Sequence, residues 1–170
     1  MYPHLVLSLV LAAAPFAQAT PSTQKPAAEK PAGAKPAAGA AAAKGARTVE
    51  IAGTEDMKFS VTNITAKPGE QLRIQLTAKG AMPKIAMAHN FVLLAKAADP
   101  TAFATAAMNA RATDFIPADK KADIIAHTTL AGAGETVEVV FKVPAAGTYT
   151  FICSFPGHFQ AGMKGTLTVK

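Results

Sequence analysis

The 170-residue sequence has no tryptophan, two tyrosines, four histidines and a single cysteine. One thiol cannot close an intramolecular disulfide, so a lone cysteine needs another reason, such as intermolecular pairing, reactivity or a metal. Charge is sparse as well, with Asp, Glu, Lys and Arg making up 16% of the chain. The formal net charge of +6 is divided between two regions. Residues 20–46 carry Lys25, Lys30, Lys35 and Lys44 against Glu29, while residues 47–170 carry 13 basic and 10 acidic side chains. A region charged this mildly, with no basic cluster interleaved with aromatics, lacks the footprint of a nucleic-acid binder.

Long apolar runs are also missing. Leu5 to Ala14 is an apolar stretch of about ten residues, too short to span a bilayer, and Ala17-Gln18-Ala19 follows it as an A-x-A cleavage pattern. Residues 1–19 therefore read as a secretory signal peptide. The rival reading is an uncleaved membrane anchor, because the segment before the apolar run holds no Lys or Arg. Residues 20–46 are Ala/Pro/Lys-rich, with Lys-Pro-Ala recurring and no large apolar residue. Such a segment cannot bury enough surface to offset its ordering entropy, so it reads as a disordered linker.

From Thr48 onward the pattern is that of short strands. Gln71-Leu-Arg-Ile-Gln-Leu-Thr alternates strictly, Asn90-Phe-Val-Leu-Leu is continuously apolar, and Thr136–Val143, Thr148–Cys153 and Lys164–Lys170 follow. Seven or eight short strands separated by turn signals predict an all-β, two-sheet antiparallel sandwich. Asp99-Pro-Thr-Ala-Phe-Ala-Thr-Ala-Ala-Met interrupts them with an N-cap residue, a first-turn proline and alanines. This predicts one inserted external helix that packs through Phe103, Ala106, Ala107 and Ala110.

The candidate site is at the C-terminal end, where Cys153, His158 and Met163 lie within eleven positions on a loop between two strand-like segments. A thiolate, an imidazole and a thioether are soft ligands suited to copper, and one more imidazole would complete a His2Cys set with a weak axial Met. With His4 in the signal segment, His89 and His127 are the candidates.

Three motifs carry a resemblance: Met-Ala-His-Asn-Phe-Val-Leu, Ile-Ala-His-Thr, and Cys-Ser-Phe-Pro-Gly-His followed by Met-Lys-Gly-Thr-Leu. They resemble the blue-copper cupredoxins, azurin most of all, over residues 47–170. The resemblance implies a Greek-key β-sandwich and one type 1 copper ion held by His89, Cys153, His158 and Met163. It makes Asn90 the residue that braces the Cys-bearing loop, Ala88 a possible distant carbonyl ligand, and His127 a surface histidine away from the metal. This sequence departs from the azurins at three points. The His-to-Met spacing is five instead of four, as in plastocyanins and auracyanins. Ala88 stands where azurins have Gly. The azurin disulfide is missing, a difference of ~2–4 kcal/mol unless packing compensates.

The function implied is that of a periplasmic electron-transfer protein, not an enzyme, with redox partners such as c-type cytochromes or a terminal reductase or oxidase. Contact with a membrane is expected only if the N-terminal segment stays uncleaved. Met87, Phe155, Pro156, Gly157 and Phe159 form the expected docking patch around a partly exposed His158. An exported copper carrier or buffer is the alternative, although it would want a more open, exchangeable surface. Zinc seldom takes a thioether ligand, and a copper enzyme such as a nitrite reductase would need more histidines.

Overall fold

A computed structural model describes residues 45–170; the signal-peptide reading and nearly all of the linker reading lie outside the described residues. Nine strands follow in order: β1 (Arg47–Thr54), β2 (Lys58–Phe59), β3 (Asn63–Ala66), β4 (Gln71–Ala78), β5 (Val92–Leu94), β6 (Ile124–His127), β7 (Thr136–Lys142), β8 (Gly147–Ile152) and β9 (Lys164–Val169). They form two facing sheets in the orders β2-β1-β4-β7 and β3-β9-β8-β5-β6.

The two-sheet sandwich is as expected, but the strand number and directions differ. The short strands β3 and β6 raise the count to nine. The sheets are mixed, since β1 pairs with β4 and β3 with β9 in parallel. Parallel neighbours need a crossover connection. Here β1 reaches β4 by way of β3, which belongs to the other sheet.

Side-chain alternation builds the core. In β4, Leu72, Ile74, Leu76 and Ala78 all point inward and are buried, as period-two geometry requires. Facing them, Phe151 of β8 stacks on Phe91 at 4.9 Å between ring centroids and meets Phe59 at 5.6 Å. Gly165 in β9 makes room for this cluster, because a Cβ there would lie 2.2 Å from Phe151 Cζ. The continuous apolar run at β5 is buried on both faces. Phe91 and Leu93 belong to the main core, whereas Val92 and Leu94 pack with Phe103, Ala104, Ile116 and Ile152.

Phe103 and Ala104 come from helix α1 (Pro100–Ala107), which covers the outer face of β5. Asp99 caps it, its carboxylate accepting from Thr101 N–H at 2.8 Å, and Pro100 opens the first turn. The buried face is Phe103, Ala104 and Ala107, while Ala106 and Ala110 are half-buried. The helix ends earlier than the alanine run suggests. The chain then tightens into a 3-10 turn at Arg111–Thr113, followed by Asp114 and Phe115 in the left-handed region, φ 53° and 59°.

Candidate metal centre

Two separate pieces of chain meet at one end of the sandwich. Cys153 directly follows β8 and Met163 directly precedes β9, so the antiparallel pairing of these strands brings the two ends of the ligand loop together. The loop then folds on itself: Cys153 N–H donates to Met163 O (3.1 Å), Met163 N–H to His158 O (2.9 Å) and His158 N–H to Phe155 O (3.1 Å). Positive φ at Gly157 (83°) and Gly162 (94°) permits the turns. Lys58 of β2 donates to the Ala161 carbonyl from outside. His89 comes from the other piece. It lies just before β5 and exchanges two backbone hydrogen bonds with Ala131, at 2.9 and 2.8 Å.

His89, Cys153 and His158 are all buried, each with a donor atom within 4.8 Å of the others'. Cys153 Sγ is 3.4 Å from His158 Nδ1, and the two imidazole rings are 5.0 Å apart between centroids. Met163 is fully buried beside Cys153 in the same core cluster. Both ring nitrogens of His89 are buried without a hydrogen-bond partner. Buried polar atoms are nearly always satisfied, and an orphaned pair points to a ligand.

The surroundings fit a cation and disfavour protons. Burial, followed by the neighbouring His89, pulls His158 down to about 4. Burial also lowers His89, opposed by the Glu55 carboxylate. The Cys153 thiol is pushed up to about 12 by burial, while the backbone N–H groups of Asn90 and Phe155 favour the thiolate. The free site thus holds neutral imidazoles and a protonated thiol. A thiolate forms when a metal ion supplies the compensating charge. Two imidazoles, a thiolate and a thioether with no carboxylate among them suit copper better than a hard cation.

The remaining expected residues fall as follows. Asn90 is buried and tied to the loop: Ser154 N–H donates to its Oδ1 at 2.8 Å, and its Nδ2 donates to Ser154 Oγ at 2.8 Å. Ala88 is buried with its side chain among Ala107, Phe115 and Leu130. His127 is exposed on β6 and outside the cluster. His158 departs from expectation. It is 2% exposed, not partly open, because the self-bonded loop folds over it and the Phe155 ring lies 4.8 Å from its own. Met87, Phe155 and Pro156 are half-buried and Gly157 is exposed. Phe159 instead packs toward the α1 cluster, with Lys164 Nζ 5.1 Å from its ring centre.

Gly53 belongs to the site although no sequence signal marks it. A Cβ there would sit 2.8 Å from His89 Cγ and 2.9 Å from Cδ2, so the imidazole rests on bare backbone. Among the described residues the exposed large apolar side chains are Met82, Ile85 and Met108, of which Ile85 is 73% exposed; helical spacing places Met108 off the packing face, and no local pattern marks the other two.

Known proteins resemble this chain in sequence and in fold. The family model described as copper binding proteins, plastocyanin/azurin family, matches residues 46–170. Azurin of Pseudomonas denitrificans is 41% identical over 127 residues, covering 72% of this chain and 98% of the relative. Auracyanin-B of Chloroflexus aurantiacus is 37% identical over 126 residues, covering 73% of this chain and 52% of the relative, so the chain spans about half of that protein's length. Among solved structures, auracyanin A, a "blue" copper protein from the green thermophilic photosynthetic bacterium Chloroflexus aurantiacus, superposes with a TM-score of 0.66 at 38% identity. The superposition covers 74% of this chain and all of the other. The chain belongs to the plastocyanin/azurin family of copper-binding proteins, electron carriers and not enzymes.

Proposed function

We propose that this chain shuttles single electrons between redox proteins of the periplasm, using one copper ion held by His89, Cys153, His158 and Met163. The observation that carries this reading is the buried set of three donors within 4.8 Å of one another. When bound, copper supplies the one-electron Cu(I)/Cu(II) couple. The protein's part is to hold the donors still. Three donors sit on a loop closed by its own backbone hydrogen bonds, the fourth is bridged to Ala131, and Asn90 ties the two pieces together. A frame that fixes its ligands in one arrangement limits the rearrangement between redox states, and outer hydrogen bonds tune the metal.

Electrons leave through the thin cover over His158. Phe155, Pro156 and Gly157 lie there, and Met87, next to Ala88 and His89, joins them in the docking patch. Ile85 and Met82 add exposed apolar area on the segment leading to Met87. Small apolar surfaces of this kind suit brief encounters with partners such as c-type cytochromes or a terminal reductase or oxidase. The leader-like residues 1–19 support export to the periplasm. The carrier or buffer alternative is disfavoured by the burial of the donors, which leaves no open face for handing copper on.

Stopped-flow electron exchange with a c-type cytochrome tests the reading. Ile85→Glu and Phe155→Glu should slow the second-order rate by about tenfold, a loss near 1.4 kcal/mol of docking free energy, with little dependence on salt in the parent protein. Unchanged rates in both variants would remove this surface from the account. No exchange with any redox protein, alongside rapid copper release to a chelator, would favour the carrier.

A further inference from the structure

Glu55 stands on the turn that follows β1, where Met57 N–H closes back on Thr54 O at 2.9 Å and Met57 adopts a φ of 55°. Its side chain is exposed, yet one carboxylate oxygen is engaged twice. Oε1 accepts from the backbone N–H of Ala81 at 2.7 Å and of Met82 at 2.8 Å. Beside it, Lys79 N–H donates to Gly53 O at 2.7 Å. Gly80, with φ 137°, passes so close that a Cβ on it would lie 2.3 Å from Glu55 Oε1. Segment 79–82 is therefore bound to the end of β1 by three hydrogen bonds. That strand end holds Gly53, the floor under the His89 ring. The two amide donors, Ala81 first, keep the Glu55 carboxyl below the usual carboxylate range, and Glu55 stands two positions along the chain from Gly53, on which the His89 ring rests.

We propose that Glu55 is a positioning residue of the metal centre: it clamps Ala81 and Met82 over the end of β1 to fix the floor beneath His89, and its negative charge favours the oxidised state of the centre. The inference rests on His89 being a copper ligand, as set out under the proposed function. The two roles can be separated because both amides donate to the same oxygen. Glu55→Gln keeps a carbonyl oxygen for the two amides and removes the charge. Glu55→Ala removes both.

Two readouts distinguish the roles, and one of them needs no metal. In metal-free protein, amide hydrogen exchange at Ala81 and Met82 should be as slow in Glu55→Gln as in the parent, and about tenfold faster or more in Glu55→Ala, since a lost hydrogen bond is worth on the order of a tenfold change in opening. In copper-loaded protein held at a fixed potential near the midpoint, Glu55→Gln should lower the oxidised-to-reduced ratio by about two- to threefold. That is the size of effect one nearby, partly screened surface charge can exert. Glu55→Ala should shift the ratio the same way. An unchanged ratio in Glu55→Gln overturns the electrostatic role, and unchanged exchange in Glu55→Ala overturns the clamp. A colourless copper adduct in the parent would defeat the ligand assignment instead, leaving the exchange result to stand on its own.

Discussion

Asn90 and Gly53 act on the ligands by different means. Asn90 satisfies the Ser154 amide and hydroxyl in a fully buried setting. Asn90→Ala would leave those groups unpaired, which costs about 1–3 kcal/mol for each unsatisfied group. We expect chemical unfolding of Asn90→Ala to show a loss of that order, together with weaker retention of copper against a chelator. Gly53 acts by having no side chain. Gly53→Ala should displace the His89 ring, costing about 1–3 kcal/mol as other overpacked sites do and altering the Cu(II) spectrum. A parent-like spectrum would mean that the strand end gives way instead. The difference between the two residues also explains what could be read from sequence. Asn90 sits next to a histidine in a recognisable motif, so its role came with the motif. Gly53 lies 36 positions from His89, and nothing near it announces the close approach of a ring. The cover over His158 was illegible for a similar reason, since it depends on backbone hydrogen bonds among residues 153–163 that composition does not encode.

At the scale of elements, strict alternation and hydrophobic runs marked β4, β5 and β8 clearly. β3, Asn-Ile-Thr-Ala, is four residues with two side chains exposed, and β6 is equally short. Their pairing comes from partners far along the chain, and so does the parallel direction of β3 against β9. Helix α1 was legible in its cap and first turn, because Asp99 and Pro100 act locally, but not in where it stops. Its attachment depends on Phe103, fully buried over Val92 and Leu94. Phe103→Ala should lower unfolding free energy by about 3–5 kcal/mol, read by denaturant midpoint. The blue absorption band should keep its position, because α1 covers the face of β5 that carries Val92 and Leu94, not the ligands.

For the whole molecule, the buried ligands make metal-free stability depend on pH in two directions. His158 has a folded value of about 4 against its ordinary 6.5, so the unfolded chain takes up its proton first. Its contribution is complete above about 6.5 and is lost as pH falls toward 4. Cys153 runs the other way. Raised from 9.0 to about 12, its contribution is complete below 9 and is lost as pH climbs toward 12. Urea midpoints of the metal-free protein should therefore be level between about pH 7 and 9 and decline on both sides, and a flat profile from pH 4 to 8 would contradict the burial of His158. Shortening the segment 20–44 should leave these midpoints unchanged, since it holds no large apolar side chain to contribute to a core.

Whether His89, Cys153, His158 and Met163 form one type 1 copper site is tested by a Cu(II) titration of metal-free protein followed by visible absorption and voltammetry. The titration should give an intense blue colour that saturates at one copper per chain, disappears in Cys153→Ser, and accompanies a reversible one-electron couple. A colourless Cu(II) adduct, or a Cys153 thiol that remains titratable after copper is added, would contradict that assignment.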